Sequence, residues 1–255
     1  MHGWLAAGVP ARRFTVVRPS GAEPAPGVRT LTRVPVGEAP PAIAMLGVKP
    51  IRLDEVAPSL APLLAPETVL VSILAGVEIA SLRARFGAPA AVVRAMPNLP
   101  VRLRAGVTGL IGDGLDPAAH DEITALMAML GLAEWVESEA ALDAVSVLAG
   151  SGPAFVYRFI DALGAAGAAI GINAGGLGPE QARRLALATV DGAARLAAGA
   201  DVPPGTLADR VASPGGSTRK GLDVLDADGA LQRLLVETLA ASSRRVAEMA
   251  AEARE

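Results

Sequence analysis

A doubly wound α/β sheet followed by an all-helical region is the fold class the sequence predicts, and three observations carry that prediction. From residue 14 to about residue 136, short apolar runs alternate with stretches of helical spacing, the pattern of strands joined by crossover helices. The runs are apolar on both faces, as strands are when helices cover a parallel sheet from both sides. After about residue 143 the alternation stops and only helical periodicity remains.

The strands expected are 14-FTVV-17, 42-AIAMLG-47, 69-VLVSIL-74, 91-AVVRA-95 and 106-GVTGLI-111, each bounded by glycine, proline or charge. Helices are expected at 53-LDEVAPSLAPLL-64, despite Pro58, at 77-VEIASLRARF-86 and at 117-PAAHDEITALMAML-130. Between the first two strands, 21-GAEPAPGVRTLTRVPVGEAPP-41 is rich in proline and glycine where a domain of this class places a helix and a short strand. Sheets of this class bind dinucleotides at the carboxyl ends of their strands.

In the second half, 180-EQARRLALATVDGAARLAA-198 puts Ala182, Leu185, Ala186, Thr189, Ala193 and Leu196 on one face. A similar stripe, Leu231, Leu234, Leu235, Thr238, Ser242, Val246 and Met249, runs along the last helix. The helix after 150-GSGP-153 is apolar nearly all round. Such a helix needs cover on every side, from a second subunit or from an intra-chain core.

The 255 residues suffice for two domains. A net charge of −3 without a basic cluster argues against nucleic-acid and anionic-membrane partners and for small solutes. With no cysteine, and only His2 and His120 to offer imidazole, no metal site is expected. Arg158 and Asp161 flank and interrupt 159-FIDALGAAGAAIGI-172, which reads as a buried soluble helix rather than a membrane span. No basic segment followed by a long apolar one opens the chain, so a cytoplasmic location is expected. Of the 23 basic residues only Lys49 and Lys220 are lysine, through coding bias or through chemistry that arginine does not perform.

One stretch, 212-ASPGGSTRKG-221, interrupts alanine-rich helix. Pro214, Gly215 and Gly216 mark a turn, and Ser217 and Thr218 are good helix starters. The run is either an ordinary inter-helix turn or a carboxylate site built from unpaired N–H groups at the positive end of a helix.

Five stretches, 48-VKP-50, 72-SILAGV-77, 94-RAMPNLP-100, 146-SVLAGSGPAF-155 and 213-SPGGSTRKGL-222, together resemble pyrroline-5-carboxylate reductase, in order and spacing, from about residue 3 to 249. The resemblance implies a Rossmann-type NADPH-binding domain over residues 1–143 and a helical dimerisation and substrate domain over 144–255, with substrate held where the two meet. The activity implied is NADPH-dependent reduction of 1-pyrroline-5-carboxylate to L-proline, by a homodimer or higher homo-oligomer. Arg18 and Ser20 stand where an NADH-selective protein usually carries an acidic residue, which favours NADPH while leaving NADH possible; a solvated surface arginine is the alternative for Arg18. The resemblance also places Val48, Lys49, Pro50, Ala75 and Gly76 at the cofactor, where the small residues otherwise serve as turn-makers.

In 96-MPNLP-100 the prolines are expected to present Asn98 outward toward cofactor or substrate, and Leu99 replaces the family's usual threonine. The resemblance implies that Ser213, Gly215, Gly216, Ser217 and Thr218 hold the substrate carboxylate through backbone N–H groups, with the Thr218 hydroxyl near the ring nitrogen as the catalytic group. Lys220 has no counterpart and is left as a surface residue. The chain opens at 1-MHGWLAAGVP-10, which matches the end of the first helix of a Rossmann unit. The first strand and Gly-rich turn, roughly twenty residues, are therefore expected to be missing. The alternative function is a non-catalytic dimeric remnant or scaffold unable to hold the cofactor. A hydroxy-acid dehydrogenase lacks support, because its catalytic lysine has no candidate in the first long helix.

Overall fold

Five strands make the sheet that organises the first half of the chain, and its central ones, over residues 69–72 and 91–95, are buried on both faces by alternating side chains. The computed structural model describes residues 1–170 and 176–252; Ile172, expected in the long apolar helix, and the Met249 side chain lie outside what is described. The strands are β3 (Ile43–Leu46), β4 (Val69–Ser72), β5 (Ala91–Pro97), β6 (Gly106–Asp113) and β7 (Gly131–Trp135), in the order β3-β4-β5-β6-β7. Before them, β1 (Thr15–Val17) and β2 (Arg29–Leu31) pair with each other as a separate two-stranded parallel sheet.

The alternation of side chains explains why the runs are apolar throughout. Leu70 and Val92 point to one face with Ala44 and Leu46, where α2 (Leu53–Leu60) and α3 (Ile79–Arg85) supply Leu53, Ala57 and Leu82. Val69, Val71, Val93 and Ala95 point to the other, where α1 (His2–Ala6) and α4 (Pro117–Ala128) supply Trp4, Ile123 and Met127. Each such large side chain contributes about 1.5–3 kcal/mol on full burial. Trp4 is anchored by its indole N–H, which donates to the Leu126 carbonyl at 2.7 Å, and by stacking on Phe14.

Two expectations need correction here. The sheet is not wholly parallel: β6 runs antiparallel to β5, with Val93 opposite Gly112 and Pro97 opposite Thr108. Only residues 98–105 separate these strands, too few for the crossover that a parallel pair requires. Strands β2 and β7 were also not foreseen, the first because it lies in the proline-rich stretch, the second because GLAEW is only half-buried and carries a glutamate.

Past the sheet come α5 (Glu139–Val145), a π-turn at Ser146–Gly150, α6 (Gly152–Ile170), α7 (Pro179–Ala198), α8 (Pro204–Val211), α9 (Ser217–Asp226) and α10 (Ala230–Glu252). The chain divides into two compact units, Met1–Gly150 with Ser242–Glu255, and Ser151–Ala241. This division falls later than residue 143 because Leu142 and Val145 of α5 pack over Gly109 of β6.

In the second unit α6 and α7 pack closely. Gly164 is buried, and a Cβ there would stand 3.1 Å from the Arg183 Cα. Ala182 and Ala186 fill the rest of that contact, but Leu185 and Leu196 of the expected stripe are exposed. Of the two sources of cover expected for α6, an intra-chain core is not what the structure supplies: Val156, Tyr157, Phe159 and Ile170 are exposed in the single chain, as the second-subunit alternative requires. By length and composition the continuous run Glu139–Ile170 would suffice to cross a membrane.

The glycines of α6 and α7 separate two effects. Gly164→Val should lower unfolding free energy by about 1–3 kcal/mol through overpacking against α7. Gly192→Ala, in α7 with open space around it, should instead raise it by about 0.5–1 kcal/mol by restricting the unfolded chain. Thermal unfolding of the two variants beside the parent chain checks the opposite signs.

Candidate functional site

Strands β3, β4 and β5 are mutually parallel, so the segments that follow them emerge at one edge of the sheet. After β3 come Gly47, half-buried Val48, and Lys49, exposed and without a charged partner among the described residues; Pro50 then opens a single helical turn. After β4, a turn closes with the Val77 N–H on the Leu74 carbonyl, and Gly76 adopts φ +73°, a conformation that favours glycine. Ala75 beside it is exposed. These are the residues the resemblance places at a cofactor.

On the two-stranded sheet, β1 ends in Arg18, whose N–H extends the ladder to the Leu31 carbonyl. Its carbonyl accepts from Gly21 to close a turn, and Ser20 Oγ accepts from the Ala22 N–H at 3.4 Å. The Arg18 guanidinium is exposed and has no partner among the described residues.

Asn98, following β5, is not presented outward. Its Oδ1 accepts from the Val107 N–H at 2.9 Å, and its Nδ2 donates to the Ala149 carbonyl at 3.0 Å. The side chain thus ties the β5–β6 connection to the π-turn. Its neighbour Leu99 is the residue that faces solvent.

Sequence reasoning assigned no role to Arg94, which the structure makes central to this edge. The side chain is 2% exposed and paired with Glu139 at the start of α5. The second Glu139 oxygen accepts from the Ile79 N–H at 2.9 Å, at the first turn of α3. One carboxylate therefore joins β5, α3 and α5. The available signal was a single arginine inside the otherwise apolar run 91-AVVRA-95.

The second unit contains the 213–218 loop. The Gly216 N–H donates to the Ser213 carbonyl at 2.9 Å, Pro214 occupies the second turn position, and Gly215 has φ +73° at the third. This is the pattern of a type II turn. Helix α9 then starts with Gly216 as its cap residue and no side-chain cap, so the N–H groups of Ser217, Thr218 and Arg219 are the unpaired donors of its first turn. The Gly216 amide is already engaged. The Ser217 and Thr218 hydroxyls have no partner among the described residues. A small anion fits such an array of N–H dipoles.

Arg219, next in sequence, is turned to carboxylates instead: Asp209 at 3.1 Å, Asp223 at 3.0 Å and Asp226 at 3.0 Å. Its pKa is raised, first by the hydrogen bond to Asp223. Lys220 is mostly exposed, 3.7 Å from Asp223. Among the described residues no three His, Cys, Asp or Glu side chains gather as metal ligands do.

Known proteins give this arrangement its context. Residues 139–249 match the pyrroline-5-carboxylate reductase dimerisation family. The chain is 40% identical over 209 residues to pyrroline-5-carboxylate reductase of Pseudomonas aeruginosa, covering 82% of this chain and 74% of that one. Its counterpart in Aquifex aeolicus is 37% identical, with 73% and 68% covered. A pyrroline-5-carboxylate reductase structure from Coxiella burnetii superposes with a TM-score of 0.78 at 33% identity, covering 87% and 81% of the two chains. The Plasmodium falciparum pyrroline carboxylate reductase, solved with NADP bound, has the same fold, with a TM-score of 0.79 at 23% identity over 98% and 92%.

Breaking the three-way junction should be costly. Glu139→Ala leaves the Arg94 charge buried and uncompensated, and should lower unfolding free energy by about 2–3 kcal/mol, less than for a fully buried pair because Glu139 retains some solvent contact. Replacing both partners, Arg94→Met with Glu139→Leu, should cost less than the single change. Urea titrations of the two variants make the comparison.

Proposed function

We propose that this chain, which belongs to the pyrroline-5-carboxylate reductase family, reduces 1-pyrroline-5-carboxylate to L-proline with a nicotinamide cofactor, NADPH in preference to NADH. The observation that carries the reading is the 213–218 loop. It offers unpaired backbone donors and two free hydroxyls at one helix start, without a cation of its own, as recognition of a small carboxylate with an adjacent ring nitrogen requires.

Residues after β1 and residues after β3 and β4 would suit the cofactor at two places. Arg18 and the Ser20 hydroxyl would hold the 2′-phosphate that distinguishes NADPH, since an unpaired guanidinium and a hydroxyl are donors suited to it. Lys49, Val48, Pro50, Ala75 and Gly76 would line the dinucleotide, the small residues permitting close approach to the backbone. When bound, the cofactor supplies the hydride.

The protein's own work is positioning. Amides of the α9 first turn would orient the carboxylate and so fix the ring. Thr218 would hydrogen-bond the imine nitrogen, which takes the C=N electron pair, and a proton from solvent, as the ring carbon receives hydride. A hydroxyl is too weak an acid to transfer that proton readily, so Thr218 acts by orientation and polarisation. Asn98 would serve by fixing the β5–β6 connection, through the bonds described above.

The same reading makes residues 1–143 the cofactor domain and 144–255 the substrate and dimerisation domain. The partner is a second copy of this chain, which the exposed apolar faces of α6 and α10 suit. Neither nucleic acid nor membrane is a partner, and the enzyme works in the cytoplasm.

Steady-state kinetics with pyrroline-5-carboxylate test this reading. Thr218→Ala should lower kcat roughly 10²- to 10³-fold, the loss typical of one transition-state donor, with cofactor affinity nearly unchanged. In titrations of the same protein, Arg18→Ala should weaken NADPH more than NADH, because only NADPH carries the extra phosphate. A Thr218→Ala variant with full activity, or equal effects of Arg18→Ala on both cofactors, contradicts the corresponding assignment.

A further inference from the structure

A cation at the third position of a helix is out of place. Arg219 sits in the first turn of α9, where the helix dipole is positive and disfavours a guanidinium. It lies one residue past Thr218, close enough in sequence to be taken for a carboxylate-binding arginine. Its geometry excludes that use. The Nε donates to Asp223 at 3.0 Å, one Nη to Asp209 at 3.1 Å and the other to Asp226 at 3.0 Å. Three carboxylates more than neutralise it.

The placement of those carboxylates matters more than their number. Asp223 and Asp226 belong to α9 itself, whereas Asp209 belongs to α8, on the far side of the loop. The interaction with Asp209 therefore spans residues 212–216, whose only internal backbone bond is the single Gly216-to-Ser213 turn bond. Gly215 has nothing within contact distance of a Cβ, and α8 and α9 have no fully buried residue. Side-chain packing within the chain thus does little to hold this corner. A single exposed ion pair would do little either, but one planar guanidinium shared by three acids restrains direction as well as distance.

We infer that Arg219 is a positioning residue: by binding Asp209 across the loop and Asp223 and Asp226 within α9, it fixes the angle between the two helices and so the spacing of the carboxylate-binding amides. The inference rests on the proposed role of the 213–218 loop. The Arg219 side chain does not touch substrate. Its influence falls on ground-state recognition of the carboxylate, not on the cofactor.

The test compares Arg219→Gln, Arg219→Lys, Asp209→Asn and the double variant Arg219→Gln with Asp209→Asn, in the full chain. Arg219→Gln should raise KM for pyrroline-5-carboxylate and the inhibition constant of L-proline about tenfold each, as coupled neighbours allow, with a smaller fall in kcat and with cofactor affinity unchanged. Asp209→Asn should reproduce part of the effect, the double variant should be no worse than Arg219→Gln alone, and Arg219→Lys should recover part of it. Amide hydrogen exchange at Gly216 should quicken in Arg219→Gln. Unchanged KM, additive losses in the double variant, or a fall in kcat with KM unmoved overturns the inference. If the parent chain shows no turnover, the assigned activity fails by itself, and the exchange at Gly216 still decides: quickened exchange supports the role of Arg219, and unaltered exchange removes it.

Discussion

A guanidinium taken out of water needs a carboxylate, and the carboxyl edge of the sheet is arranged around that requirement. Arg94 is buried among apolar strands, and its Nε finds no hydrogen-bond partner in the described structure. The cost of desolvation is met by Glu139, which also receives the Ile79 N–H. Because Glu139 lies in the first turn of α5 and faces the first turn of α3, its charge is favoured by both helix dipoles. The interaction therefore sets three things together: the register of β5 where it runs into Asn98, the start of the helix after Gly76, and the docking of α5 on β6. An apolar contact in the same place would be equally stabilising but without direction.

The second unit is governed by the opposite problem, apolar surface with too little in the same chain to cover it. Tyr157 and Phe159 on α6, Val224 on α9 and Leu234 on α10 are exposed, as are two leucines of the stripe on α7. Among the described residues of this unit only Ala182, Ala186 and Gly164 are closed off, where small side chains bring α6 and α7 together. Helices so apolar on their free faces are stable in water when another surface meets them. Residues 139–249 match a dimerisation family, and a second copy of the chain is a surface of that kind.

Much of this was legible in the sequence, and the parts that were not have physical reasons. Runs such as 69-VLVSIL-74 and 91-AVVRA-95 declared strands because both faces are buried, and Pro214-Gly215-Gly216 declared a turn whose positive φ is observed. Strand direction was illegible: apolar character is the same in parallel and antiparallel strands, and only the short 98–105 connection separates the cases. Asn98 was misread because prolines on either side fix the backbone but not the side chain, whose bonds to Val107 and Ala149 depend on distant segments. Arg94 was passed over for the same reason, its partner being 45 residues away. For helix α6 the sequence leaves a second subunit and an intra-chain core open, because hydropathy records the need for cover and not its source.

On the proposed reading, the arrangement around Thr218 would recognise a carboxylate without devoting a cation to it. An arginine free to form a bidentate pair would bind the substrate and the product equally, since both carry the same carboxylate. Interactions of equal strength throughout the reaction lower KM without raising kcat, and they retain the product. On that reading, backbone dipoles at the start of α9 would give a weaker and strictly oriented hold, leaving more of the available binding discrimination to the imine nitrogen, the atom whose electron density changes. The three aspartates on Arg219 would preserve that balance: they engage the guanidinium adjoining the loop, and on the proposed reading the neutral Thr218 hydroxyl is left to meet the imine nitrogen.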